Sequence, residues 1–298
     1  MRVIISRKGF DSSFGGIASP ILENGSMMSF PIPGPSPTRY QDIFNPNANT
    51  DKILFDLTKG KMTGDMEVHF DPDLNPNNLK RKEGWLGSLG QTGGAQGHLE
   101  AQQVQKGDIF LFFGWFREAI FENENYKFKP KSPDIHSIFG YLQIGEILKL
   151  GSNPDANKII TEYPWLEGHP HLYGTRDANN TLYIASEQLI IDGHLTKFPG
   201  ASTFNNFSKD LQLTADNQKS RSLWKTPSWL KPPVDDNALL TYHGDAKRWS
   251  KDESDNNLLQ SVAKGQEFVI SLKDEVDFNL WFNKLLEKEF KPQIKIKI

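Results

Sequence analysis

The run Gly107-Asp108-Ile109-Phe110-Leu111-Phe112-Phe113-Gly114-Trp115-Phe116 decides how this chain folds. A strand with one wet face alternates apolar and polar residues, because successive side chains point to opposite sides of the sheet. From Ile109 to Phe116 there is no such alternation, so the run predicts a strand covered on both faces. Working outward, 2–6 predicts an opening strand, 117–121 and 126–129 a hairpin around Asn123-Glu124-Asn125, and 136–148 another long strand. Shorter strands are expected at 181–185, 188–192 and 266–272, and a period-two tail from Gln293 to Ile298 reads as an edge strand. Residues 20–28 and 29–33 read as a hairpin closed by Glu23-Asn24-Gly25, and the four prolines of 31–38 demand an extended segment. Helices are expected near 95–104, 155–163 and 275–289, with 40–59 partly helical. In the last helix Val276, Phe278, Leu280, Trp281 and Leu285 form the expected buried stripe. Residues 198–233 read as surface connections. With no internal repeat and no clean linker, the expectation is an α+β fold in a single domain over 1–298.

Composition narrows the function. Hydrophobic residues make up 37% of the 298, with 20 Phe and 7 Trp, which excludes a disordered chain. A formal net charge of −3 removes the global basic field that drives non-specific DNA binding, so any nucleic-acid contact must come from local patches. The absence of cysteine excludes disulfides, zinc–thiolate and iron–sulfur sites and a cysteine nucleophile. Neither a signal-peptide apolar region nor a run of membrane-spanning length is present, so a cytoplasmic protein without a membrane partner is expected.

Three segments carry candidate chemistry. Arg7-Lys8-Gly9-Phe10-Asp11-Ser12-Ser13 follows the first strand, with Gly15 and Gly16 close behind. Arg7 and Lys8 suit phosphate, Asp11 is a candidate base and Ser12 its hydroxyl partner. Asp11 could equally close an Asx turn. In His69-Phe70-Asp71-Pro72-Asp73, period two on an extended segment points His69, Asp71 and Asp73 to one side. They would serve as acid–base groups or as ligands of a divalent metal. The alternative is a plain Asp-Pro-Asp turn. A calcium loop starting at Asp71 fails, because Pro76 stands where glycine is needed and Lys82 where glutamate is needed. His169-Pro170-His171 adds two imidazoles that count as metal ligands only if His69 or Asp71 lies close by. Trp115 and Arg117, at the end of the aromatic run, could stack a base and hold a phosphate. The glycine-rich run 87–97 precedes a helix but matches no phosphate-loop fingerprint, and His98 just inside that helix suits packing or capping. The groups Lys80-Arg81-Lys82 and Lys127, Lys129 and Lys131 read as solvated faces.

Taken together, Arg7–Ser12 with Gly15-Gly16 and Ser19-Pro20, His69–Leu74, Gly107–Arg117 and His169–Leu172 resemble the nucleotide modification associated domain 3 family. So do Leu223-Trp224-Lys225, Pro227-Ser228-Trp229, Tyr242-His243-Gly244, Arg248-Trp249 and Gly265-Gln266-Glu267-Phe268-Val269. The likeness spans nearly the whole chain. Ala18, where a proline is expected before Ser19-Pro20, is a minor departure. The resemblance implies a bacterial or phage protein associated with DNA base modification, with nucleotide or DNA as its partner. Residues 106–148 are also similar to the paired strands of PUA-like barrels, which implies a mixed, partly barrelled sheet with peripheral helices and a cleft for RNA or modified bases. Three readings follow: an enzyme acting on a nucleotide by acid–base or metal-assisted chemistry, a reader of modified bases, or an assembly component. The first requires the opening loop and the His69–Asp73 segment to converge on one pocket.

Overall fold

The aromatic run lies at the centre of the largest sheet, as its lack of a polar face requires. The computed structural model describes residues 1–46, 48–233, 239–263, 265 and 267–290, so the expected tail strand at 293–298 lies outside the described residues. The first seven strands are β1 (Arg2–Arg7), β2 (Ser19–Ile21), β3 (Ser88–Gln91), β4 (Ile109–Glu122), β5 (Asn125–Phe128), β6 (Ile135–Lys149) and β7 (Thr181–Ala185). They are followed by β8 (Gln188–Ile191), β9 (His194–Pro199), β10 (Ala201–Thr203), β11 (Leu223–Lys225), β12 (Trp249–Lys251), β13 (Asn257–Gln260) and β14 (Glu267–Ser271). The helices are α1 (Thr50–Leu57), α2 (Gly93–Ala101), α3 (Ala156–Glu162) and α4 (Val276–Glu289).

Nine strands form one mixed sheet in the order β14-β1-β4-β6-β7-β3, with β2 and β5 also paired to β4 and β10 to β6. β4 runs parallel to β1, with Val3 beside Ile109 and Arg7 beside Phe113, and antiparallel to β6. Ile109 through Phe113 and Phe116 are completely buried. Each such side chain contributes about 1.5–3 kcal/mol on leaving water. The path ends at β14 on one side and β3 on the other, so among the described residues the sheet does not close. The expected partly barrelled sheet is thus a mixed sheet that does not close into a barrel, because among the described residues no strand pairing joins β14 to β3.

Other differences have local causes. Residues 20–28 do turn at Glu23-Asn24-Gly25 and pair across it, with Ile21 bridged antiparallel to Met27 and Met28 N–H donating to Pro20 O; Ser19–Ile21 also pairs in parallel with β4, and 29–33 takes no part in that pairing. Residues 198–233 hold β10 and β11 as well as connections, and β11, β13 and β12 form a separate three-stranded sheet. In α4 the buried stripe is Phe278, Phe282, Leu285 and Leu286, whereas Val276 and Leu280 are exposed. The spacing i, i+4, i+7, i+8 selects a face rotated from the expected one, and its rings pack on Tyr141 and Trp229. A second apolar cluster packs Ile53 and Leu54 of α1 against Phe10, Phe30 and Tyr40, beneath the opening loop. No helix among the described residues is long and apolar enough to cross a membrane.

Candidate metal centre

Backbone pairing delivers Asp71 to the edge of the sheet. His69 N–H donates to Ile32 O at 2.9 Å, and Asp73 and Ser88 exchange backbone hydrogen bonds of 2.9 and 2.8 Å, which ties the segment to β3. That register places Asp71 opposite Gly90, whose N–H donates to Oδ1 at 2.9 Å. Two histidines arrive from the other side on the short turn Pro170–Leu172. Leu166 and Leu172 anchor this turn by burial against Leu182 and Ile184 of β7. Gly90 leaves the room they need, since a Cβ there would stand 2.1 Å from the His171 ring.

Three imidazoles surround one carboxylate. His69 Nε2 lies 3.8 Å from Asp71 Oδ2, His171 Nε2 3.5 Å from Oδ2 and His169 Nε2 3.7 Å from Oδ1. These separations exceed hydrogen-bond length. They come close to the roughly 3–3.4 Å between neighbouring ligand atoms that each stand about 2.1 Å from a shared ion. One ligand atom each from His69, Asp71 and His171 falls within 4.8 Å of the others. Two imidazoles and one carboxylate form a donor set suited to a borderline divalent metal.

Hydrogen bonding separates the roles of the two turn histidines. Asn180 Nδ2 donates to His171 O at 3.1 Å, which leaves Asn180 Oδ1 to accept from His171 Nδ1 at 2.7 Å. The proton of neutral His171 is therefore on Nδ1, and the Nε2 lone pair faces Asp71, the arrangement of a ligand oriented by a neighbouring acceptor. His169 is the reverse case. Its Nδ1 accepts from His171 N–H at 3.2 Å, so its proton sits on Nε2, a buried atom with no hydrogen-bond partner that is directed at Asp71 Oδ1. His169, expected among the ligands, thus presents a donor to the carboxylate and not a lone pair.

Burial sets the protonation states. It pushes the His169 imidazole down to about 3 and lowers His171 as well, with Asp71 pulling both in the opposite direction. For Asp71 burial acts upward, but His69, His171 and His169 together outweigh it and hold the carboxyl well below its usual range. At neutral pH the cluster is an anion facing neutral histidine rings of the 169–171 turn, the form that binds a cation.

A pocket of about 360 Å³ opens onto this cluster, and it joins the two segments whose convergence the sequence required. Arg7, Lys8 and Asp11 of the opening loop line it together with His69, Asp71 and His171. Asp11 Oδ1 accepts from Ser13 N–H and Phe14 N–H at 2.7 and 2.8 Å, so the Asx turn forms. Arg7 donates to the carbonyls of Ala263 and Val262, and Lys8 pairs with Glu267 at 2.9 Å.

Four expected residues lie elsewhere. Ser12 is exposed and accepts from Arg221 at 3.4 Å, outside the pocket lining. Asp73 is engaged by other partners, since Arg81 grips both its oxygens at 2.6 Å and Trp85 Nε1 donates to it at 3.2 Å. Trp115 is covered by the Arg221 guanidinium at 4.1 Å, which blocks the face that would stack a base. Arg117 lies over Phe128 and approaches Lys129 O.

The structure also adds residues. The glycine-rich run is a strand followed by a helix, and Gln91, the last residue of β3, and Thr92, at the N-cap of α2, line the pocket. Thr92 Oγ1 is buried with no partner. Arg176 lines the same pocket, and Glu267 beneath it takes hydrogen bonds from Ser6, Lys8 and Gln91. Buried Glu267 stands beside the buried apolar run Phe268, Val269 and Ile270 of β14, a local sign of a special role. His98 holds Thr241 Oγ1 at 3.1 Å, a packing role as expected.

Compared with known proteins, residues 2–271 match a family model described as nucleotide modification associated domain 3. No curated protein and no solved structure matches the chain.

Proposed function

This chain belongs to the nucleotide modification associated domain 3 family, and we propose on that footing that it is a metal-dependent enzyme acting on a nucleotide. His69, Asp71 and His171 hold one divalent ion, and the ion supplies a Lewis acid at the floor of the pocket. The observation that carries this reading is the group of three ligand atoms within 4.8 Å of one another, opening onto a pocket lined by cations. His169 is a positioning residue that steers Asp71. Arg7, Lys8 and Arg176 give the pocket a positive rim, so a phosphate is the group they favour. The reading takes 1–298 as one domain, supported by a match that runs from residue 2 to 271.

The test is direct. Protein stripped with a chelator and dialysed against manganese, iron(II) or zinc retains one ion per chain, and His171→Ala loses it. Enzymatic digests of DNA and nucleotide pools incubated with the loaded protein then show a nucleoside of altered mass. A wild-type protein that retains no ion from any of the three solutions defeats the reading.

A further inference from the structure

A second cavity, of about 310 Å³, lies against the first, and Gly9 and Asp71 line both. Its chemistry is different. Among the described residues, five phenylalanine rings and six asparagines contribute to the lining, and neither lysine, arginine, histidine nor glutamate does. Asp71 is the one ionisable residue among the described residues of the lining, and that carboxylate is directed to Gly90 N–H and the three histidines. The chamber is therefore neutral, with apolar walls and carboxamides that each offer donors and an acceptor.

We propose that this cavity binds the uncharged nucleobase of the substrate, while phosphate stays in the cationic pocket across Asp71. The proposal rests on the nucleotide reading above and assigns the base its own chamber. A nucleobase has two flat apolar faces and an edge of mixed donors and acceptors, and proteins read it by ring contact plus side-chain hydrogen bonds. Phosphate is disfavoured here, because none of the described residues in the lining carries positive charge. The size is at the lower end of small-molecule sites, which suits a nucleoside.

Individual residues divide the work. Phe44 is 58% exposed, a large ring left in water where it lines the cavity, and Phe70 at 9% forms a buried wall. Asn75 is already held, donating to Thr203 Oγ1 at 3.0 Å and accepting from Asn77 N–H at 2.9 Å, so it braces the rim. Asn78 is half-buried, and its hydrogen bonds among the described residues run through its backbone. Its carboxamide is the group assigned to the base edge.

Calorimetric titration of the purified full-length protein with the four deoxynucleosides, and separately with ribose, inorganic phosphate and manganese, tests this. At least one deoxynucleoside saturates the wild type, and ribose does not. Asn78→Leu weakens that binding about tenfold, the worth of one good hydrogen bond. Asn78→Trp, which fills the space, abolishes it, with thermal midpoints confirming that both variants fold. His171→Ala abolishes manganese binding and leaves nucleoside binding intact. The proposal is overturned if no deoxynucleoside saturates the wild type, if ribose alone does, or if both Asn78 variants bind like wild type. A protein that binds deoxynucleosides but not manganese instead refutes the metal reading and leaves the base chamber standing.

Discussion

Replacing Gly90 by alanine should empty the metal centre with little other damage. The backbone at Gly90 is in a strand and not in the left-handed region, so alanine meets no conformational penalty. The difficulty is space. The new Cβ would lie 2.1 Å from His171 Cδ2, 2.3 Å from Cγ and 2.6 Å from Nε2, whereas ordinary contact begins at 3.4 Å. The ring must retreat by about 1.3 Å, many times the roughly 0.2 Å tolerance of a metal–ligand distance. Nε2 then leaves its position 3.5 Å from Asp71, and the bond from Asn180 that orients the ring is strained. Disturbing the support of a ligand costs about 10–100-fold in affinity, and losing the ligand costs more, so manganese affinity should fall at least 100-fold. Overpacking costs the fold about 1–3 kcal/mol, which leaves a folded protein. Gly94→Ala is the control, since a Cβ there meets nothing within 4 Å. Competition titration against a coloured chelator, with urea unfolding of both variants, reads the two quantities. Gly90→Ala binding manganese like wild type would refute the reasoning.

Other variants separate the cluster from its surroundings. Asp71→Asn should lose the ion, whereas Asp11→Asn should keep it, because asparagine can still accept the two N–H groups of the turn; elemental analysis after dialysis distinguishes them. Arg81→Met should destabilise by about 3–5 kcal/mol by leaving Asp73 buried without its partner, yet leave manganese stoichiometry unchanged. In chelator, stability should be full above about pH 6.5 and fall as pH drops towards 3. The unfolded chain takes up protons near the ordinary histidine value, while His169 refuses one until about 3. The cost is up to about 1.4 kcal/mol per pH unit for that residue. Urea midpoints from pH 7 to 4 should show a shallower slope for His169→Gln, and an unchanged slope would count against its buried neutral state.

The fold was legible where a pattern had one physical solution. Ile109 to Phe116 could only be a strand covered on both faces, and it is. The α4 stripe was less determined, because Val276, Leu280 and Trp281 compete with Phe282 and Leu286 for the buried side. Contacts with Tyr141 and Trp229, distant in sequence, settle the choice. The site shows the same division. His69, Asp71, His169 and His171 stood out by residue type and spacing, but the tautomers that separate His171 from His169 depend on Asn180 and a backbone N–H. Asp73 looked equivalent to Asp71 at period two, and only the fork of Arg81 reveals the difference. Gln91, Thr92 and Glu267 carried no fingerprint that marked them for this pocket; β14 pairing sets Glu267 beside β1, and side-chain hydrogen bonds from Lys8 and Gln91 converge on it from elements far apart in sequence.

Crystals soaked in manganese and measured for anomalous scattering put the central claim to the most direct trial. A bound manganese ion should give one strong peak about 2–2.3 Å from His69 Nε2, His171 Nε2 and an Asp71 carboxylate oxygen. An ordered cluster with no peak between these three side chains, at a manganese concentration that labels other sites, would contradict it.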